Sequence, residues 1–525
     1  MNEFIAKHRE KITGVLSGFD RLVFRGTLRS IGFADGMRHY LHANGVLLKD
    51  FGPHVERVSK QLKDALEGKA RALGRPVQYL SSSQVSKEEI AREVMTRDHI
   101  DQGLICVLKA VEPCWSFEIY RSRELQKLEL VARHRKCLFF YQYWMHPKFG
   151  FMNARIQTWF PFSVQICMNG REWLGRQMDR AGIQYVAAGN CFPWIEDLAK
   201  AQRLMDQQLR TDWPKVLDPI AQHLNPIHGT LFEKYPARYY WTTYQSEWAI
   251  DVVFQKAAEL KRLYPRLVHH AMTTFGSSDV MRYLGKRVRL NGQVPGNFSG
   301  EVVSNVKERH EGVRIKHSIN GNSVKLYDKA FTEVGSVLRA ETTIQNGSDF
   351  RVYRTKEGDP DGPKAWRPMR RGIADIHRRA DLSKKAGERY LDGFASVDDD
   401  TTLEELITRL QTHTIWHGRR VRALRPFADD SALLAAVTRG EFAISGFRNR
   451  DLQAILFLSP TSSPQQARQR SAWVSRKLRL LRAHGLIHKV PGTHRYQLTS
   501  SGRKVTTAIA TALRSTVRQL TPMAA

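Results

Sequence analysis

The amino-acid sequence predicts an α+β protein of several domains, and three observations carry that prediction. Residues 1–206 alternate strand-like and helix-like segments, as an α/β block with a mixed sheet does. Residues 267–356 contain consecutive alternating runs around the turn Asn320-Gly321-Asn322, the pattern of a central antiparallel sheet. Residues 401–525 read as short helices, one long basic helix and a Gly-tipped hairpin. Between these lie a helical segment, 207–266, and a basic helical linker, 357–400.

In the first block DRLVFRGTL opens as a strand, and helical stretches follow near Gly36–Ala43 and His54–Ala72. QYLSS, KEEIAREVM and GLICVLKAV continue the alternation. WSFEIYRS, KCLFFYQYWM, FMNARIQTWF and SVQICMNG then read as four strands in succession before the helix REWLGRQMDRAG. In QSEWAIDVVFQKAAELKRLY the apolar positions recur at three- and four-residue steps, which predicts a helix. VRIKHSI, SVKLYDKA and LRAETTIQ supply the central strands, whose face is a candidate for handling a nucleic-acid strand. Residues 364–389 carry nine cations and three acids, and Asp398-Asp399-Asp400 marks a linker before Leu403.

Lys plus Arg number 82 against 52 Asp plus Glu, a formal charge of +30, so the molecule is drawn to polyanions. The five cysteines have no CxxC spacing, which fits reduced thiols rather than a zinc site or a disulfide framework. The first twenty residues lack the apolar run of a signal peptide, and no stretch is apolar enough to span a bilayer; a cytoplasmic protein with no membrane partner is expected. GxxxxGK, HExxH and GxSxG are absent, so no nucleotide cofactor, zinc proteolysis or serine hydrolysis is expected.

Residues 464–504 hold ten Lys or Arg and no acid. Ala467, Val474, Leu478 and Leu481 fall on one helical face, His484-Gly485 closes the helix, and two short strands flank Pro491-Gly492-Thr493. With the helical stretches Ser431–Arg439 and Asn449–Leu456, the segment resembles a MarR-like winged helix-turn-helix over about residues 428–515, most specifically in LRAHGLIHKVPGTHRYQLTSSG. The resemblance implies duplex DNA as partner. Arg470, Arg476, Lys477, Arg479 and Arg482 on the helix would meet base edges, and Lys489, His494 and Arg495 on the hairpin would meet phosphates. Arg370, Arg371, Arg378 and Arg379 in the second basic zone are further candidates for phosphate contact; a solvated helix face is the alternative.

Strand alternation puts Lys325, Tyr327 and Lys329 on one face, and Arg339 shares a face with Glu341. The order S-x-K-x-Y-D-K, spacer, L-R-x-E resembles the core of rolling-circle replication initiators and filamentous-phage replication endonucleases, which nick DNA by tyrosine attack on phosphate. That resemblance covers about residues 267–350. It implies Tyr327 as nucleophile, Lys325, Lys329 and Arg339 stabilising phosphate charge, and His317 with Glu341 holding Mg2+ or Mn2+. The family's His-x-His pair is absent, and His317 stands alone. Tyrosine on a strand also packs in cores, and Lys, Arg and Glu on one face also form cross-strand pairs.

Asp20 occupies the place where nucleases of the RNase-H-like class carry a metal-binding aspartate, with Glu118 and Glu196-Asp197 as candidates to complete a two-metal cluster. The aromatics of FFYQYWMHPKFGFMNARIQTWFPF either stack bases or fill a core, and exposure of Trp144, Phe151 and Trp159 separates the two. The whole chain is similar to a widespread bacterial multi-domain family recognisable in GFDRLVFRGTL, RIQTWFPF, NGREWL, SVKLYDK and LRAETTI. The leading expectation is a DNA-binding, strand-processing protein of a mobile element or replicon, with homodimerisation open. A non-enzymatic winged-helix transcription regulator and a structured-RNA-binding protein are the alternatives.

Overall fold

The computed structural model describes residues 2–515 except 83–84, 125, 286–300, 310–311, 398–401, 440–441, 443–445 and 458. The acidic linker Asp398-Asp399-Asp400 therefore lies outside the described residues. The fold is mixed α and β, with a large mixed sheet and several small antiparallel ones. The chain forms two compact units: residues 13–257 with 329–384, and residues 1–12 with 258–328 and 385–525.

Thirteen strands matter here. In chain order they are β1 (Ile12–Leu28), β2 (Val77–Tyr79), β3 (Gly103–Ser122), β4 (Lys127–His146), β5 (Gly150–Gln157), β6 (Val164–Asn169), β7 (Tyr185–Ala188), β8 (Cys191–Ile195) and β9 (Tyr239–Phe254). Then come β10 (Val303–Arg309), β11 (Gly312–Ile319), β12 (Asn322–Thr332) and β13 (Gly335–Ile344).

The first unit holds the order β13-β9-β1-β6-β5-β4-β3-β2, in which β2 and β3 run parallel while β13 with β9, β1 with β6, β6 with β5, β5 with β4 and β4 with β3 run antiparallel. β3 and β4 form a long hairpin, paired from Gly103↔Met145 to Ser122↔Lys127. Apolar side chains on one face of that hairpin, including Ile105, Leu108, Phe139 and Tyr141, pack against the helix Lys87–Arg97 through Ala91 and Val94. Trp144 and Phe151 are buried and Trp159 is half-buried, so these aromatics fill a core instead of lining a base-stacking surface.

QSEWAIDVVF, which the spacing predicts as helix, is the inner strand β9; the helix begins only at Ala257. Its last nine residues are all buried, and a strand covered on both faces reads as a continuous apolar run rather than a clean alternation. The three- and four-residue steps do not separate the two, because a step of four returns to the same face of a strand as well as nearly the same face of a helix.

The second unit contains the antiparallel meander β10-β11-β12 and the C-terminal module. In the module three helices, Ser431–Val437, Asn449–Leu456 and Pro464–Ala483, precede a hairpin of Ile487–Lys489 and Tyr496–Leu498. Phe447 bridges to Tyr496, adding a third extended segment beside the hairpin. Leu433, Leu434, Phe447, Leu452, Val474, Leu478, Leu481 and Ile487 make one core with Val505 and Ile509 of the closing helix Ser500–Arg514. Each such side chain contributes roughly 1.5–3 kcal/mol on burial. No helix among the described residues is long and apolar enough to cross a membrane.

Candidate functional site

Two places gather chemistry, one in each unit. In the sheet unit, β13 and β9 pair Arg339 with Asp251, Glu341 with Ala249 and Thr343 with Glu247, so Arg339, Glu341, Asp251 and Glu247 share one sheet face. Arg339 donates to both carboxylate oxygens of Asp251, at 2.6 and 2.9 Å. Arg171, from the helix Gly170–Arg180, reaches Asp251 at 2.9 Å. Burial alone would raise the Asp251 carboxyl, but Arg171 and Arg339 hold it below the ordinary carboxylate range.

Asp20 on β1 joins this face. Its Oδ2 accepts from Asn190 Nδ2 at 3.0 Å, and its Oδ1 lies 3.3 Å from Arg339 Nη1. Lys329 Nζ donates to Asn190 Oδ1, and Arg339 donates to the Asn190 carbonyl. Glu247 accepts from Gln245 at 2.9 Å and lies 3.9 Å from Arg21, whose partly exposed side chain marks where the cluster meets solvent. The carboxylates of Asp20, Glu247, Asp251 and Glu341 are thus matched by the cations Arg21, Arg171, Lys329 and Arg339. Such balance is what a buried charge cluster needs in order to be tolerated at all.

The local chain geometry explains how Arg171 is aimed. Asn169 caps its helix by accepting from the Arg171 and Glu172 amides at 2.9 and 3.1 Å. Gly170 lets that helix start against β1, since a Cβ there would fall 1.7 Å from the Phe19 carbonyl oxygen. The NG of NGREWL is therefore a positioning device.

One ligand atom from each of Asp20, Glu247 and Glu341 lies within 4.8 Å of the others. Asp20 Oδ1 is buried and makes no hydrogen bond, though it lies 3.3 Å from Arg339 Nη1. Three carboxylates grouped in this way suit a hard divalent cation of the Mg2+ or Mn2+ kind.

The residues expected from sequence to act together divide between the units. Lys329, Arg339 and Glu341 belong to the cluster with Asp20. Lys325 and Tyr327 lie on the other unit's portion of β12, opposite Lys316 and Arg314, and Tyr327 is 7% exposed. His317 is buried, meets Ser304 Oγ at 2.6 Å and sits among the rings of Phe275 and Tyr390. Burial lowers its imidazole to about 4, so at neutral pH it is uncharged. Glu118 pairs with Arg133 at 2.8 Å, and Glu196 accepts from the Gln184 amide. Asp197 caps the helix Leu198–Asp206 through the Lys200 amide. None of these three acids enters the carboxylate group. Glu247 and Asp251 were missed in sequence because their strand reads as helix; two acids four apart in an apolar run were the available signal.

The basic zone at 364–389 needs correction at Arg379. That side chain is fully buried and donates to the carbonyls of Ile344 and Thr243 at 2.8 and 3.2 Å, so it cannot meet a phosphate. Burial lowers its guanidinium to about 10. Arg370 and Arg378 both hold buried Asp375, at 3.2 and 2.6 Å, while Arg371 is exposed.

In the C-terminal module, Val474, Leu478 and Leu481 bury one face of the helix Pro464–Ala483. Arg468, Ala472, Ser475, Arg476 and Arg479 form the opposite, exposed stripe. Lys477 departs from the expected role: it pairs with buried Asp430 at 2.5 Å and lies over Trp473. Arg470 donates to the Ser459 carbonyl over the Phe457 ring, and Arg482 stacks on Trp416. Lys489 and His494 are exposed on the hairpin, and Arg495 is half-buried and reaches the Gly446 carbonyl.

No protein-family model matches the chain, and no curated protein matches it. Among solved structures, the di-domain ARO/CYC BexL from the BE-7585A biosynthetic pathway is similar over 51% of this chain and 81% of that one, at 12% identity and a TM-score of 0.17. A likeness of that size carries no argument about fold or activity.

Proposed function

We propose that this chain is a duplex-DNA-binding protein that reads DNA through a winged helix-turn-helix at its C-terminus. The observation that carries the reading is the exposed stripe of Arg468, Arg476 and Arg479 opposite a fully buried apolar face, on a segment with no acidic residue. A helix of this kind fits the major groove, where arginine pairs with guanine edges, and the cationic hairpin reaches adjoining phosphates. The test is a fluorescence anisotropy titration of labelled duplex DNA. Arg476→Ala with Arg479→Ala should weaken binding at least ~10-fold, and unchanged affinity contradicts the reading.

A second activity is favoured by a separate observation, the meeting of Asp20, Glu247 and Glu341 beside Lys329 and Arg339. We infer a strand-processing site for phosphodiesters, of the kind a mobile element or replicon protein uses. Asp20, Glu247 and Glu341 would hold Mg2+ or Mn2+; a bound ion of this type activates water and offsets phosphate charge. Arg339 and Lys329, both buried, would hold Asp20, Asp251 and Asn190 in place around that ion, and the partly exposed Arg21 would counter anionic charge on the strand at the solvent-facing end. Because Tyr327 is buried in the other unit's strand, metal-activated water is favoured over tyrosine as the nucleophile. Supercoiled plasmid incubated with either ion should be nicked by the wild type and not by Glu341→Gln; intact plasmid with both ions overturns this second reading alone.

A further inference from the structure

The hairpin Thr414–Trp416/Arg419–Val421 lies outside the winged-helix elements, and its surroundings give it a job. Residues 413–428 contain four arginines, two histidines and no acid. The strands pair Ile415 with Arg420 and Trp416 with Arg419, around the left-handed residues His417 and Gly418. Two consecutive positive φ values make the tight hairpin turn whose twist matches its strands. Trp416 lies under the Arg482 guanidinium at 5.0 Å, and Val421 packs on the module's core. Arg422 and Arg425 are held by Asp430 and Asp429.

Other side chains of the hairpin stay open: Ile415 is 75% exposed with Arg420 across from it on one face, and Arg419, across from Trp416 on the other face, is exposed as well. Between the base of this hairpin and the long helix runs a groove of about 330 Å³, walled by Val421 and Arg422 on one side and by Trp473, Arg476 and Arg479 on the other. Cations line both walls. Arg420 meets the His413 ring at 3.3 Å, and an anchored hairpin with two exposed arginines and an exposed isoleucine is a surface that a sugar-phosphate backbone complements, through phosphate to arginine and sugar to Ile415.

We propose that this hairpin is a second DNA-contacting arm, which grips the duplex backbone alongside the strand lying in the groove, without reading sequence. The proposal rests on the duplex-DNA reading above, and the experiment separates the two. The full chain is titrated with labelled duplexes of two unrelated sequences across ~50–200 mM salt, with an RNA stem-loop as competitor. Arg419→Ala with Arg420→Ala should weaken both duplexes about tenfold and equally, and should lower the slope of log affinity against log salt by about two. Unchanged affinity and slope in that variant, while Arg476→Ala with Arg479→Ala still weakens binding, overturns the arm and leaves the winged helix standing. A wild type that binds neither duplex overturns both. Preference for the RNA stem-loop over duplex, lost in the hairpin variant, overturns DNA as the occupant.

Discussion

Arg339 and Arg479 use the same guanidinium in opposite ways. On β13 Arg339 has no exposed surface and is committed to Asp251, Asp20 and Asn190. On the C-terminal helix Arg479 is exposed, with its apolar neighbours turned the other way. A net charge of +30 does not distinguish these populations, although only the second attracts a polyanion at no cost to the fold. The lesson is that a basic protein's partners are read from cations left over after its own carboxylates have been matched.

The largest test of that contrast is removal of one partner within the cluster. Asp251→Ala strands Arg171 and Arg339 in the core and should cost about 3–5 kcal/mol in urea unfolding. A loss under about 1 kcal/mol would mean that solvent reaches the cluster. The next test uses pH. His317 has its folded pKa lowered to about 4 from an ordinary value near 6.5, so the unfolded chain binds the extra proton first. Stability should be intact above about pH 6.5 and fall toward pH 4 by roughly 3 kcal/mol, and His317→Gln should flatten that dependence.

A smaller effect separates Lys477 from its neighbours on the same helix. Lys477→Ala leaves Asp430 with one cation fewer and should lower module stability by about 1–2 kcal/mol, seen as an earlier thermal transition. Arg476→Ala with Arg479→Ala should do the reverse, leaving unfolding within ~0.5 kcal/mol while DNA affinity drops. If the Lys477 variant and the double arginine variant behave alike, the division into committed and available cations fails.

Much of the local architecture was legible. The four strand-like segments between 115 and 169 appear in β3 to β6, and alternation correctly placed Arg339 and Glu341 on one face. Gly485 takes a left-handed backbone where the long helix ends. What escaped was the pairing of distant elements. Asp20 joins Glu341 only because β1 and β13 both flank β9, and no local pattern encodes that neighbourhood. Arg379 escaped for a related reason: its row of cations reads as a solvated face, while its carbonyl partners come from residues 243 and 344.

Gly170 adds a constraint of another kind. Because the Phe19 carbonyl of β1 occupies the space a methyl group would need, a replacement there should push the start of the following helix outward and draw Arg171 away from Asp251. A saturation library would thus find one of its least permissive codons at a residue with no reactive atom, and a reader hunting conserved polar side chains would pass over it.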